Sequence, residues 1–333
     1  MTSRALRTSK PIDYTLLAGL VVFIVNSLFF ILAYDPNIQG YEDAVRGWKQ
    51  FNAILANGEP AWGNWNQIEL RSQMVLFTVC QLLLLHAFGL IERPTLITYL
   101  ALPMAAYLAT KVKVEFALFP LAIISLDIGW KREILVIAGI AILSQWLGEN
   151  NGYVIVAFRV LYLAINTIRP TLVIILSAAA VIILADQNIN LVARYIPQVA
   201  VYEWTREIVN PEYSIIETLI VFLSSMVLSI NPSADFPVGL PFTLLILNLT
   251  FGKEMLRKRN LLRWVNTPGF QAGVLIVLLF TSITHAFQNA RYYFFYLPLL
   301  SKIGGERLNL SLLFLSIPMT YIMTVYYKFY LGM

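Results

Sequence analysis

Apolar runs of 14 to 21 residues follow one another along almost the whole chain, and charged or polar residues end each of them. A helix needs about 20 apolar residues to cross the hydrocarbon core of a bilayer, within a range of about 17–25. The pattern therefore predicts an all-α polytopic integral membrane protein with about ten transmembrane helices, in a range of about nine to eleven. The runs are Tyr14–Tyr34, Met74–Ile91, Leu96–Ala109, Phe116–Trp130, Ile134–Leu147, Gly152–Ile168, Thr171–Ala185, Ile215–Ile230, Pro237–Phe251, Phe270–Phe287 and Leu310–Tyr327.

The composition indicates an apolar solvent around the molecule. Hydrophobic residues make up 58% of the chain and charged residues 13%, whereas soluble domains are about 45–50% apolar and about 25% charged. The net charge of +5 suits anionic lipid head groups or a phosphate-bearing substrate. The basic residues are scattered at the ends of the runs rather than grouped on one face, so nucleic acid is not an expected partner.

Several of the runs, among them Leu96–Ala109, Phe116–Trp130 and Ile134–Leu147, are only 14 or 15 residues long, which is short for a helix that crosses a membrane perpendicular to its plane. Pro103 and Pro120 lie inside two of these runs. Proline interrupts a helix because it lacks a backbone N–H. These runs are therefore expected to borrow flanking residues, or to form broken helices or half-helices that re-enter on one side.

The distribution of lysine and arginine predicts the orientation, since these residues gather in cytoplasmic loops. Three basic residues among the first ten place the N-terminus in the cytoplasm. The basic stretch 252–264 is expected on the same side, as is Lys328. An even number of crossings must then separate Arg169 from that stretch, so one of the three intervening runs is expected not to cross. The rival interpretation, an external basic loop, is less favoured.

A single transmembrane domain over residues 1–333 is expected, with extracytoplasmic loops at 35–70, 186–213 and 288–307. Inside the first loop, apolar residues recur at helical spacing from Tyr41 to Leu55. This spacing predicts an amphipathic helix that lies at the membrane interface.

Arg159 is the strongest single candidate for function, because it lies in the middle third of the run Gly152–Ile168. A charge at that depth costs roughly 2.5–3.5 kcal/mol on insertion scales, so it should face a protein-lined cavity and meet an anion. One interpretation is an anion site, for example for the pyrophosphate of a lipid-linked substrate. The other is a structural arginine tied to backbone carbonyls or to an acid on another helix.

A second group of candidates follows the run that begins at Phe270. A neutral histidine such as His285 can act as a general base near pH 7, and an arginine nearby can stabilise phosphate. Aromatic rings stack on sugar faces. The alternative is an interfacial aromatic belt with its usual polar neighbours. The neighbouring polar and aromatic residues are Asn289, Arg291, Tyr292 and Tyr293.

Two shorter basic patches allow the same pair of interpretations. Lys111 and Lys113 lie in a short break between two runs. They could form the charged edge of a cavity that binds phosphate or sugar, or a hairpin turn whose lysines extend their ammonium groups to the membrane surface. Arg206 lies close to Tyr202 and Trp204, which suits a saccharide or an interfacial helix equally well.

The inventory of reactive residues argues against several classes of enzyme. One cysteine and two histidines cannot build a Cys/His metal centre, so no metal or cofactor is expected. A P-loop, a Rossmann glycine pattern and a Ser-His-Asp order are all missing from the sequence. Any sugar donor should therefore come from the membrane itself.

A resemblance to a known family rests on three short patches. They are Tyr41-Glu42-Asp43 after the first span, Ala157-Phe158-Arg159-Val160 in a central run, and Asn289-Ala290-Arg291-Tyr292-Tyr293 near the end. Together they resemble the Wzy and EpsG-like polysaccharide polymerases. In that family an arginine of a central helix, often followed by glutamine, belongs to the site. The arginine is present here, and valine stands where the glutamine would be.

The resemblance implies a metal-independent membrane glycosyltransferase of the bacterial inner membrane. Such an enzyme joins undecaprenyl-pyrophosphate-linked oligosaccharides at the outer face, with the lipid bilayer and a chain-length regulator or flippase as partners. Arg159, helped by Arg291 or Arg206, would neutralise the leaving pyrophosphate. His285 or Glu149 would deprotonate the acceptor hydroxyl. The rivals are a transporter or flippase for an anionic or lipid-linked solute, and a non-catalytic subunit of a synthase.

Overall fold

The computed structural model describes residues 13–33, 67–110, 117–147, 151–187, 220, 222–227, 232–255, 263–284 and 294–330. Within these ranges the chain is mostly helical and contains no strand. The amphipathic helix predicted for Tyr41–Leu55 lies outside the described residues, as does most of 35–70 and of 186–213. The helices are α1 (Tyr14–Ala33), α2 (Gln67–Ala87), α3 (Arg93–Ala101), α4 (Pro103–Thr110), α5 (Phe119–Ala122), α6 (Trp130–Leu147), α7 (Asn151–Ile168), α8 (Leu172–Gln187), α9 (Pro232–Met255), α10 (Pro268–Thr284) and α11 (Tyr296–Tyr330).

The prediction of a helical, strongly apolar molecule is confirmed for the described residues. Two segments, Tyr14–Leu32 and Tyr296–Tyr326, are long and apolar enough to cross a membrane. Several shorter apolar helices accompany them, so the molecule is compatible with a helical membrane protein. The shorter apolar helices are Gly152–Ile168, Leu172–Ile182, Val238–Gly252 and Pro268–Leu279.

Helix α1 shows how polar and apolar side chains are distributed. Its outward stripe consists of large apolar side chains that are 46–73% exposed. Its inward face buries the polar residues Asn26 and Ser27 completely or almost so. This is the reverse of the pattern in a helix at the surface of a soluble protein. The stripe consists of Leu17, Val21, Ile24, Leu28 and Leu32.

The helices pack in two groups. In the first group, α3 contacts α1 and α11, α1 also contacts α4, and α9 packs on α11. In the second group, α7 packs between α6 and α10, and α8 packs on α10. Each group has its own apolar core, the first around Tyr99 and Met104 and the second around Phe158 and Ile276.

One end of the bundle gathers several of the basic side chains that lie at the ends of helices. At this end Arg93, the first residue of α3, forms an ion pair with Asp13 at the start of α1. Lys302 of α11 bonds Asp127, which precedes α6. We call this the basic end, and its described lysines and arginines include Arg93, Lys131, Arg169 and Lys302.

Contacts between helices show which ends lie opposite the basic end. The rings of Tyr107 in α4 and Phe30 in α1 are 5.3 Å apart, so the two helices leave the basic end together. Helices α6 and α7 meet again at the other end, where a Cβ on Gly152 would touch Ser144. Helices α8 and α10 both start at the basic end, so α4, α6, α8 and α10 all finish at the opposite end.

Helix α9 returns to the basic end. A Cβ on Gly304 would lie 2.8 Å from Cγ2 of Thr250, close to the end of α9. The basic stretch 252–264 therefore starts at the same end as Arg169. Of the run Ile215–Ile230 the structure describes residues 220 and 222–227, and the backbone carbonyl of Val227 accepts a hydrogen bond from the N–H of Met104 at 3.0 Å.

Proline breaks one central helix, as the sequence predicts. Leu102, between α3 and α4, has φ −82° and ψ 119°, and Pro103 follows it. The freed N–H of Met104 donates to the carbonyl of Val227 at 3.0 Å. Both half-helices are almost wholly buried. In the run with Pro120, the described residues before Trp130 are α-helical only from Phe119 to Ala122.

The last helix differs from the sequence prediction. Helix α11 begins at Tyr296, inside the predicted loop 288–307, and reverses its direction at Gly305, which has φ 51° and ψ −138°. Such a positive φ is accessible to glycine at little cost. Residues 302–307 consequently lie at the basic end with Lys131, not on the opposite face. The second leg of α11 then runs parallel to α1, so Lys328 lies at the end opposite Asp13.

Candidate functional site

Arg159 is completely buried and its side chain is held by four hydrogen bonds. Its Nε and Nη2 donate to the two carboxylate oxygens of Glu133 at 2.6 and 2.7 Å. Its Nη1 donates to the carbonyl of Ile124 at 3.0 Å, and Nη2 also donates to that of Ser125 at 2.9 Å. The paired Arg–carboxylate geometry is the strongest form of this interaction.

The local sequence explains why these groups meet. Glu133 lies in the first turn of α6, and α7 runs antiparallel to α6, so the middle of α7 faces the start of its neighbour. The chain between α5 and α6, residues 123–129, bends across α7 and turns two carbonyls towards it. We call residues 123–129 the bridging loop. Arg159 therefore fixes the bridging loop and α6 to the same helix.

The bridging loop also makes contacts outside α6 and α7. The hydroxyl of Ser125 donates to Oε1 of Glu92 at 3.0 Å, and its N–H donates to the carbonyl of Leu90 at 2.8 Å. Asp127 accepts a hydrogen bond from the hydroxyl of Tyr162 at 3.2 Å and from Nζ of Lys302 at 2.7 Å. The loop thus connects the two packing groups at the basic end.

A cavity of about 220 Å³ lies above this loop, between the two packing groups. Charged and hydroxyl side chains line it together with apolar ones, and Asp127 and Lys302 are more than half exposed at its rim. The Lys302 ammonium, and secondarily the Tyr162 hydroxyl, lower the pKa of Asp127, so this carboxylate is ionised at neutral pH. The residues that line the cavity are Glu92, Thr95, Ser125, Leu126, Asp127, Tyr162, Thr267, Pro268, Gly269, Pro298, Leu299, Lys302 and Ile303.

Of the ten site residues predicted from the sequence, Arg159 alone lies in the part of the chain that the structure describes. Its contacts are those of the second interpretation, an arginine tied to carbonyls and to an acid on another helix. A role for Arg159 in binding substrate stays a prediction. The nine residues outside the described ranges are Lys111, Lys113, Glu149, Arg206, His285, Asn289, Arg291, Tyr292 and Tyr293.

The structure brings together residues that the sequence pattern does not single out. Glu133 follows Lys131 and Arg132 and reads as one more charge at the end of an apolar run. Asp127 is an isolated acid inside the run Phe116–Trp130, and a single charge inside an apolar run is a sequence feature that could have identified it as a candidate site residue. The sequence places Lys302 in a loop, and nothing in the pattern links it to Asp127, 175 residues away.

Comparisons of the chain with known proteins identify no related protein. No protein-family model matches the chain, and no curated protein or solved structure matches it either. Among the described residues, no three histidine, cysteine, aspartate or glutamate side chains form a group that could hold a metal ion.

Proposed function

We propose that this chain is a multi-pass protein of a bacterial inner membrane that polymerises lipid-linked oligosaccharides at the outer face. The N-terminus and the basic end lie in the cytoplasm, in keeping with the enrichment of lysine and arginine there. The helices make about ten crossings. The substrates are undecaprenyl-pyrophosphate-linked saccharides, and the protein is a glycosyltransferase that needs no metal.

The observation that carries the proposal is the common position of four helix ends. Helices α4, α6, α8 and α10 precede the segments that hold the nine predicted site residues outside the described ranges. All four finish at the end opposite the basic end. Segments from distant parts of the sequence thus start from one face, which is a requirement for a site assembled from them.

A second observation connects that face with the centre of the molecule. The chain that follows the segment of His285 and Arg291 resumes at Phe294, which is completely buried against Tyr99 and Phe119. The ring of Phe295 stacks on Phe158 with centroids 3.9 Å apart, and Phe158 directly precedes Arg159. The proposal therefore gives Arg159 a positioning role beneath the site, while Arg291 and Arg206 meet the pyrophosphate.

The test is polymerisation by the purified chain in nanodiscs, supplied with undecaprenyl-pyrophosphate oligosaccharides and read by the mass of the products. We expect a ladder of longer lipid-linked saccharides from the wild-type protein. His285→Ala and Arg291→Ala should abolish the ladder, by at least about a hundredfold in rate for the general base. Lys131→Met, at the basic end, serves as the matched control. Folded wild-type protein that yields no ladder from any such substrate would overturn the proposal.

A transporter or flippase for an anionic or lipid-linked solute is the second candidate, favoured by the broken helix α3–α4. Discontinuous helices mark the binding sites of many transporters, because the break exposes backbone groups at the centre of the membrane. In the same nanodisc preparation this function predicts no ladder. In liposomes it predicts movement of the lipid-linked saccharide between leaflets, measured by its accessibility to an added glycosidase.

A further inference from the structure

The cavity at the basic end is separate from the proposed polymerase site. It opens at the end opposite the one where the helices α4, α6, α8 and α10 finish. Its volume of about 220 Å³ is below the range of roughly 300–1,000 Å³ that holds a drug-sized ligand. An oligosaccharide unit is larger still. The cavity therefore suits a small polar group, and a different ligand must be sought for it.

The charges around the cavity are of both signs and lie close together. Nζ of Lys302 donates to Asp127 at 2.7 Å, and Glu92, whose carboxylate accepts the hydroxyl of Ser125, also lines the cavity. The hydroxyl-bearing residues Thr95, Ser125, Tyr162 and Thr267 line it as well. Side chains of both signs with hydroxyls between them bind a zwitterion better than a simple cation or anion, since each charge of the ligand finds a partner.

The ion pair at the rim can exchange its partners at low cost. The side chains of Lys302 and Asp127 are 65% and 56% exposed, and exposed pairs of this kind contribute little stability. A zwitterion that enters between them replaces one charge contact by two. The apolar side chains of Leu126, Leu299 and Ile303 also line the cavity. These apolar walls suit the glycerol and first methylene groups of a lipid.

We propose that this cavity binds a zwitterion that carries a primary ammonium group and a phosphate group, as in the head group of phosphatidylethanolamine. Lys302 contacts the phosphate, and Asp127 and Glu92 contact the ammonium. Access to the cavity rests on the proposed orientation: with the basic end in the cytoplasm, the cavity opens to lipids of the inner leaflet. Bound there, the ligand joins α3, the bridging loop, α10 and α11 across the two packing groups.

The test uses the full-length protein in phosphatidylglycerol nanodiscs. The probes are soluble O-phosphoethanolamine, or phosphatidylethanolamine as a fraction of the nanodisc lipid. Retained ligand is read by native mass spectrometry, and the apparent unfolding temperature is measured in parallel. We expect Lys302→Met and Asp127→Asn to weaken binding by about tenfold or more, the loss that follows removal of a hydrogen bond to a charged group. Lys302→Arg should retain binding, and Lys131→Met and Glu306→Gln are the matched controls.

The outcomes separate the two sources of the ligand. A response of the wild-type protein to both probes supports a site for the free zwitterion, and a response to the lipid alone supports a head-group site. Binding that weakens between low and high salt supports the role of the charges without any mutation. No response to either probe, or equal binding by variants and controls, overturns the proposal. Polymerisation by Lys302→Met is expected at the wild-type rate, so the two proposals fail independently.

Discussion

At the scale of single residues, the pair Arg159–Glu133 dominates. Both side chains are buried, at 0% and 4% exposure, and their charges are balanced by each other and by two carbonyls. The sequence identifies the arginine, because a charge inside an apolar run is conspicuous. It does not identify the partner, because Glu133 is one of several charges at the end of a run and only the antiparallel packing of α6 and α7 selects it.

The pair predicts a strong asymmetry between single and double substitutions. Arg159→Met leaves Glu133 buried without a partner, and the loss of one member of a buried pair costs about 3–5 kcal/mol. The double variant Arg159→Met/Glu133→Leu removes both charges and should recover most of that loss. The loss and its recovery are measured as shifts of the unfolding temperature in detergent, with size-exclusion chromatography as the readout of folded protein.

The same double variant decides between the two interpretations of Arg159. A folded double variant that polymerises normally shows that the reaction does not need the charge of Arg159. A folded double variant without activity shows that the reaction needs Arg159, either through its charge or through its hold on the bridging loop. An Arg159→Met protein as stable as the wild type would contradict the structural role.

Asp13 gives a prediction for pH. Its Oδ1 accepts the N–H groups of Thr15 and Leu16 at 3.2 Å, which caps α1, and its carboxylate pairs with Arg93. The hydrogen bond from Arg93 is the main cause that lowers the pKa of Asp13 to about 2. Because the folded pKa is below the usual 3.8, the stabilisation is present above about pH 4 and is lost as the pH falls towards 2.

Asp13→Ala should therefore lower stability by about 1 kcal/mol at pH 7, the usual cost of losing an N-cap. The difference between variant and wild type should shrink when unfolding is measured at pH 3. A difference that is the same at both pH values would show that the carboxylate charge is not involved.

At the scale of helices, the sequence predicts where helices form better than where they stop. The ends of α1, α7, α8 and α10 agree closely with the apolar runs, because lipid-facing helices must be apolar throughout. The break at Leu102 follows from Pro103. The reversal at Gly305 is not predicted, since Gly304-Gly305 lies among polar residues that read equally well as a loop.

Gly305 can be compared with a second glycine in a helix. With φ 51° and ψ −138°, Gly305→Ala is strained, and we expect a loss of roughly 1–2 kcal/mol. Gly139 lies in α6, and a Cβ added there would meet no atom within 4 Å, so Gly139→Ala should gain about 0.5–1 kcal/mol. Unfolding temperatures of the two alanine variants should thus move in opposite directions. Equal shifts would contradict the reversal in α11.

At the scale of the whole molecule, the number of charges at each end is readable from the sequence, but the path of the chain is not. Parity predicts the basic stretch 252–264 at the end of Arg169, and the described start of that stretch lies there, since Thr250 is beside Gly304. The same count assigns Lys328 to the wrong end, because it treats 288–307 as a simple loop. A half-helix that ends in the middle of the bundle changes whether the number of crossings is even or odd. The sequence of an apolar run does not indicate where such a half-helix stops.

The opposed positions of the two ends can be tested by labelling. In a Cys80→Ala background, Lys131→Cys should react with a membrane-impermeant maleimide only after the cells are permeabilised. Lys328→Cys should react in intact cells, because α11 ends opposite the basic end. Labelling of both positions from the same side would contradict the path of the second leg of α11.

The hydrogen bonds that α11 forms with α1 and α3 also bear on how the protein is made. Nδ2 of Asn26 donates to the hydroxyl of Ser316 at 2.7 Å, across 290 residues of chain, and Thr98 donates to Asn309 across 211. At about 5–20 residues per second, a ribosome needs roughly 15–60 s to travel from Asn26 to Ser316. Throughout that interval the side-chain amide of Asn26 lacks the partner that it has in the folded protein, so an insertase or a transient neighbour must shelter it until Ser316 has been synthesised.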